Sequence, residues 1–275
     1  MMRKLINNIS SNERQIIEML VLVIAVIIPC FVNLQDIFKE YLNDHPLSPD
    51  NFIWHIAIMR GEHVESVILF FAVLIAIRKF NQGYTMNRKR LYHDYCYSWY
   101  WFCAKILGIK SCDLVLVPIH MQFKLVIRAT FSEYPLDEKE YPVDDTESDI
   151  IVSIFNSEEQ SREVNLILED TYTIDEKQIP KTKSGLRTIK VSRNNGNDNA
   201  HHFSQKYIDK ITNVIAELKG KPNINIFATT NLMNTKHIAK RVFGSGERGN
   251  VEHLYVFQQE KDGRRCFDNN GKKIY

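Results

Sequence analysis

The chain opens on an apolar run, IIEMLVLVIAVIIPCFVNL (16–34), in which only Glu18 and Asn33 are polar. A helix of that length rises about 28 Å, close to the ~30 Å hydrocarbon thickness of a bilayer. No small-residue cleavage site follows, so the pattern predicts an uncleaved span, with Pro29 near its far end. A second run, VILFFAVLIAI (67–77), is wholly apolar but short, and reaching span length draws in Glu62, His63 and Glu65. Together the two predict a transmembrane hairpin over 1–84, with spans of about 16–34 and 61–80. Glu62 and Glu65 have two readings. In clustered hairpins they face one another or a pore; otherwise the bilayer thins and Glu65 reaches the outer headgroups. Arg3, Lys4 and Arg14 precede the first span, and Arg78, Lys79, Arg88, Lys89 and Arg90 follow the second. The positive-inside rule then places both ends in the cytoplasm.

Residues 85–149 read as a joining segment. LYHDYCYSWYWFCAKILGI (91–109) sets Tyr92, Tyr95, Cys96, Trp99, Phe102, Cys103 and Ile106 on one helical stripe, suited either to headgroup level or to burial. LVLVPI (114–119) reads as a buried strand. QFKLVIRATF (122–131) alternates Phe123, Leu125 and Ile127 with Lys124, Val126 and Arg128, which predicts a half-exposed strand. The proline-punctuated acidic run EYPLDEKEYPVDDTESD is a loop or linker.

From 150 onward the pattern becomes regular. IIVSIF, VNLILE and TIKVSR read as strands, FSQKYIDKITNVIAEL as an amphipathic helix, INIFA as a strand, a stretch ending at Gly244 as a helix, and VEHLYVFQQ as a strand. KDGRRCFDNNGKKIY predicts a terminal hairpin turning at Asp262-Gly263. The fold class is therefore α/β: a two-helix hairpin followed by a Rossmann-like domain at 150–275 with a largely parallel sheet.

Charge sharpens the picture. Glu133 to Pro180 holds 15 acids and 3 bases, whereas Lys181 to Tyr275 holds 18 bases and 8 acids. A basic final third suits an anionic partner, or is an ordinary surface balanced by the acidic third. Five cysteines without CxxC spacing argue against a disulfide framework or a zinc site. His201, His202 and His237 lack carboxylate or cysteine partners at ligand spacing and read as exposed histidines near helix starts. No metal, no cofactor and no DNA partner is expected.

Two loops fall at the carboxyl ends of candidate parallel strands, where open α/β sheets bind ligands. Arg193, Asn194 and Asn195 form one; Thr229, Thr230 and Asn231 form the other, with Lys236 a turn into the next helix. Amides, hydroxyls and a guanidinium suit phosphates and base edges, although the same residues are also ordinary turn and cap formers. No GxGxxG, Walker A or triad spacing occurs, so binding without turnover is expected.

INIFATTNLMNTKHIAKRVFGSGERGNVEHLYVFQQEKDGRRCFDNNGKKIY resembles the closing part of a SAVED domain, a relative of the CARF sensors. SAVED domains usually fuse two CARF-like halves; the regular pattern here supplies about one, so that either 110–170 is a degenerate second or the sensor is a single CARF-like unit. Two N-terminal spans joined to such a sensor resemble the two-helix membrane effectors of bacterial anti-phage defence of the CBASS type. The resemblance implies a cyclic oligonucleotide ligand, a homo-oligomer on activation, and gathering of hairpins that breaches the bilayer in abortive infection. It also leaves open a retron-associated effector answering another signal. From the residues alone, a membrane-anchored phosphodiesterase or nuclease and a protein-binding adaptor remain as alternatives.

Overall fold

The structure, a computed structural model, describes residues 12–31, 48, 64–88, 91–143, 150–159, 161–193, 202–244, 250–260 and 264–275. Two compact units divide the chain: Met1–Leu91 with Ser98–Ser111, and Tyr92–Tyr97 with Cys112–Tyr275. The expected joining segment is thus shared between them.

In the first unit α1 (Glu13–Phe31) and α2 (Val64–Phe80) pack on each other. Leu22 and Ala25 are buried, while Ile17, Leu20, Val21, Val23, Ile24, Val26, Ile27 and Ile28 are exposed. A helix apolar all round leaves most of that surface unpaired when it meets one partner. Among the described residues, however, no helix is long and apolar enough to cross a membrane. The helix pair itself is present. Residues 32–34 and 61–63 of the expected spans, Glu62 included, lie outside the described residues; Glu65 falls in the first turn of α2.

Glu18, the polar break in the first run, has a structural reason. Its Oε1 accepts from Arg14 Nε at 2.9 Å and its Oε2 from Asn81 Nδ2 at 2.9 Å. Arg14 also donates to Asn81 Oδ1 at 2.7 Å and lies over the Phe80 and Tyr84 rings. Asn81, fully buried, donates a second bond to the Leu107 carbonyl. The start of α1 and the end of α2 are thereby tied by charge-assisted bonds, which are roughly twice as strong as neutral ones.

β1 (Thr85–Met86) and α3 (Tyr97–Lys105) come next in the chain. The helix expected over 91–109 covers only its middle, 97–105, with Tyr100 and Cys103 buried and Trp101 exposed. After β2 (Ser111–Cys112), LVLVPI is not a strand: it is a turn in which Leu116 takes a left-handed φ of 57° while Leu114 and Val117 are buried. The predicted strand within 122–131 is instead α4 (Ile119–Ile127). Pro118 sits at its N-cap, and Phe123, Val126 and Ile127 are related by helical i, i+3 and i+4 spacing.

The second unit is built on a six-stranded sheet in the order β3-β5-β4-β6-β7-β8. Its strands are β3 (Ile150–Phe155), β4 (Glu163–Glu169), β5 (Arg187–Arg193), β6 (Asn223–Ala228), β7 (Leu254–Phe257) and β8 (Lys272–Lys273). β5, β4, β6 and β7 run parallel, and β3 and β8 close the edges antiparallel. The mostly parallel α/β architecture matches the expectation. Residues 261–263, the expected hairpin turn, lie outside the described residues.

α5 (Gln205–Ala216) begins at Ser204, whose hydroxyl accepts from Tyr207 N, and buries Tyr207, Ile208, Ile211 and Ile215. α6 (Leu232–His237) begins at Asn231 and continues as a π-helical stretch, Ile238–Val242. A separate aromatic cluster of Phe227, Phe257 and Phe267, with Ile167, Ile174 and Ile179, packs beside the central strands. From β4 the chain steps to β5 on one side, then returns to lay β6 on the other. The β4–β6 boundary is therefore the topological switch point, where a crevice opens beyond the carboxyl ends.

Candidate functional site at the switch point

Each parallel strand delivers polar residues to this edge. Asp170 follows β4, Arg193 ends β5, Thr229 to Asn231 follow β6, and Gln258 and Gln259 follow β7. The β4–β5 register pairs Glu169 with Ser192, so Asp170 and Arg193 emerge side by side. Their ion pair closes at 2.8 Å with side chains 0% and 1% exposed. A buried pair needs its remaining lone pairs and protons satisfied. Asp170 Oδ2 accepts from Asn231 N at 3.0 Å and Asn234 Nδ2 at 2.8 Å. The His202 carbonyl accepts from Arg193 Nη1, Asn231 Nδ2 and Asn234 Nδ2. Asn231 caps α6 through Asn234 N at 2.9 Å, and Ser204 N donates to Asn234 Oδ1. Below the network, burial first and then the Asp170 charge push the Tyr207 phenol well above its ordinary pKa. The network pins three strand-end loops to one another.

Asn231 of this network also lines a crevice of about 290 Å³, with Tyr92, Gln122, Tyr172, Thr229, Thr230, Gln258 and Gln259 as its polar and aromatic lining and aliphatic residues such as Ile119 and Leu232 between them. Such volumes border the range of small-molecule sites. Thr229 Oγ1 donates to the Tyr172 carbonyl at 2.7 Å, and Thr171 Oγ1 to the Thr229 carbonyl at 2.6 Å. Gln258 Oε1 receives Ile119 N at 3.0 Å, joining α4 to the β7 end.

The structure separates the residues singled out from sequence. Thr229, Thr230 and Asn231 line the crevice together. Arg193, expected to neutralise a phosphate directly, is spent on Asp170 and the His202 carbonyl beneath it. Lys236 donates to the Tyr134 carbonyl and, with Lys240, lines a different cavity of about 800 Å³ beside Phe131 and Gly244. Asn194 and Asn195 lie outside the described residues. Sequence reasoning passed over Asp170, Tyr172, Asn234, Gln258 and Gln259. The signal was present in ILED and VFQQ, where an apolar strand breaks into polar residues as INIFATTN does.

His237 is half-buried, not exposed, with its ring 4.8 Å from that of Phe203. Burial, then the charges of Lys236, Arg241 and Lys240, lowers its pKa. The folded state thus binds fewer protons than the unfolded one near this group. Its contribution to stability is complete above the unfolded imidazole value and declines as pH falls through it toward the lowered folded value. Thermal melts from about pH 7.5 to about pH 5 are expected to show a smaller loss of Tm for His237→Gln than for the parent chain. Parallel slopes would remove this role.

The family model described as "SMODS- and Ubiquitin system-associated 2TM effector domain" matches residues 1–275. No curated protein matches the sequence. Two similar solved structures are of the Acinetobacter baumannii Cap4 SAVED/CARF-domain containing receptor. The one with the cyclic trinucleotide 3′3′3′-cAAA is 9% identical, with a TM-score of 0.38 over 59% of this chain and 37% of that chain. The one with 2′3′3′-cAAA is 8% identical, with a TM-score of 0.39 over 75% of this chain and 42% of that chain. The chain therefore spans about two fifths of the receptor's length.

Proposed function

The chain belongs to the family of SMODS- and ubiquitin system-associated 2TM effector domains, and on that premise we propose that it is a membrane effector of bacterial antiviral defence triggered by a cyclic oligonucleotide. Its α/β unit captures the messenger in the switch-point crevice. Capture favours self-assembly, and assembly gathers the apolar helices into a lesion of the inner membrane. The observation that carries the ligand reading is the crevice itself: aromatic, amide and hydroxyl groups among aliphatic ones, with the loops after β4 and β6 tied together by a buried ionic network. Rigid walls lower the ordering cost of binding. The contiguous apolar surface of α1 supports the membrane half, because exposed patches of this kind mark interaction sites. The cytoplasmic placement of both ends rests on the basic residues flanking the helices.

The ligand drives assembly only through a higher affinity for the assembled form. No bond need be made or broken. Incubating the detergent-purified chain with cyclic and linear oligonucleotides tests this directly. Recovery of intact ligand with an increase in particle size is expected; cleaved ligand would instead make the crevice an active site.

A further inference from the structure

We infer that Tyr172 and Arg265 form the contact for one nucleobase and its adjoining phosphate at the rim of the crevice; the inference rests on the cyclic-nucleotide reading above. Tyr172 lines the crevice and is 37% exposed. Its ring is held from several directions. The hydroxyl donates to Gln259 Oε1 at 2.6 Å, Gln259 Nε2 donates to the Arg265 carbonyl at 3.1 Å, and the Arg265 guanidinium lies 4.4 Å from the ring centroid. The Tyr172 backbone is fixed in turn by Thr229 Oγ1. An aromatic ring fixed this way stacks a base with little ordering cost.

Among the described residues lining the crevice, none is charged. Arg265, exposed and stacked on a lining ring, supplies the cation that a phosphate next to a stacked base requires. Its backbone holds a left-handed φ of 57°, an unfavourable conformation for a residue other than glycine. Strain kept at a surface cation beside a cavity fits a placement set by binding.

The test measures binding of 3′3′3′-cAAA and 2′3′3′-cAAA to the full detergent-purified chain at several salt concentrations, with thermal melts to confirm folding of each variant. Tyr172→Ala is expected to weaken Kd about 5- to 150-fold, the equivalent of one lost base stack, and Tyr172→Phe to stay within about fivefold because its ring remains. Arg265→Gln is expected to flatten the salt dependence by about one phosphate contact. If both Tyr172→Ala and Arg265→Gln bind as the parent does, while crevice-filling Thr230→Tyr abolishes binding, the rim contact is overturned and the crevice reading stands. If the parent chain takes up neither trinucleotide, or Thr230→Tyr has no effect, the crevice reading falls and the rim contact with it.

Discussion

Asp170→Ala is expected to cost the chain about 3–5 kcal/mol of stability, the penalty for stranding one charge of a buried pair. Arg193 would remain almost wholly enclosed without its counter-ion, Asn231 N would lose its acceptor, and Asn234 Nδ2 would lose one of its two. Three strand-end loops would loosen together, so messenger binding should fail in the same variant. Denaturant unfolding of the parent, Asp170→Ala, Arg193→Met and the double variant separates the pair from its surroundings. The double variant is expected to be more stable than the sum of the single losses predicts, because neither charge is left alone. Strict additivity would show that the two residues act independently.

The second large effect concerns α1. Ile24, 49% exposed near the middle of the helix, is expected to tolerate Leu, whereas Ile24→Lys should abolish membrane damage. A lysine at mid-membrane costs about 2.5–3.5 kcal/mol on insertion scales. The α/β unit does not contain Ile24, so Ile24→Lys should bind a cyclic oligonucleotide as the parent does. Membrane damage undiminished by the lysine would mean that the exposed face of α1 does not meet lipid.

Much of the α/β unit was legible because its signals are local. Strand-length apolar runs, the Asn231 cap and the one-sided face of α5 all act within a few residues. Residues 114–131 misled for a physical reason. α4 buries Met121, Phe123, Leu125, Val126 and Ile127, and burial around most of a short helix erases the period that separates helix from strand. The candidate site was half legible. Thr229 to Asn231 follow a recognisable strand, but Asp170 and Gln259 become neighbours of that loop only through the β5-β4-β6-β7 order, a long-range property. Arg193 looked like a ligand contact because sequence shows its charge and not its buried partner.

The central claim is that messenger capture becomes membrane failure, and dye-loaded vesicles of bacterial lipid carrying the purified chain address it most directly. Addition of the cyclic oligonucleotide messenger is predicted to release dye from vesicles with the parent chain, and not from those with Asp170→Ala or Ile24→Lys. Vesicles that stay equally tight with and without every cyclic oligonucleotide tried would contradict the account.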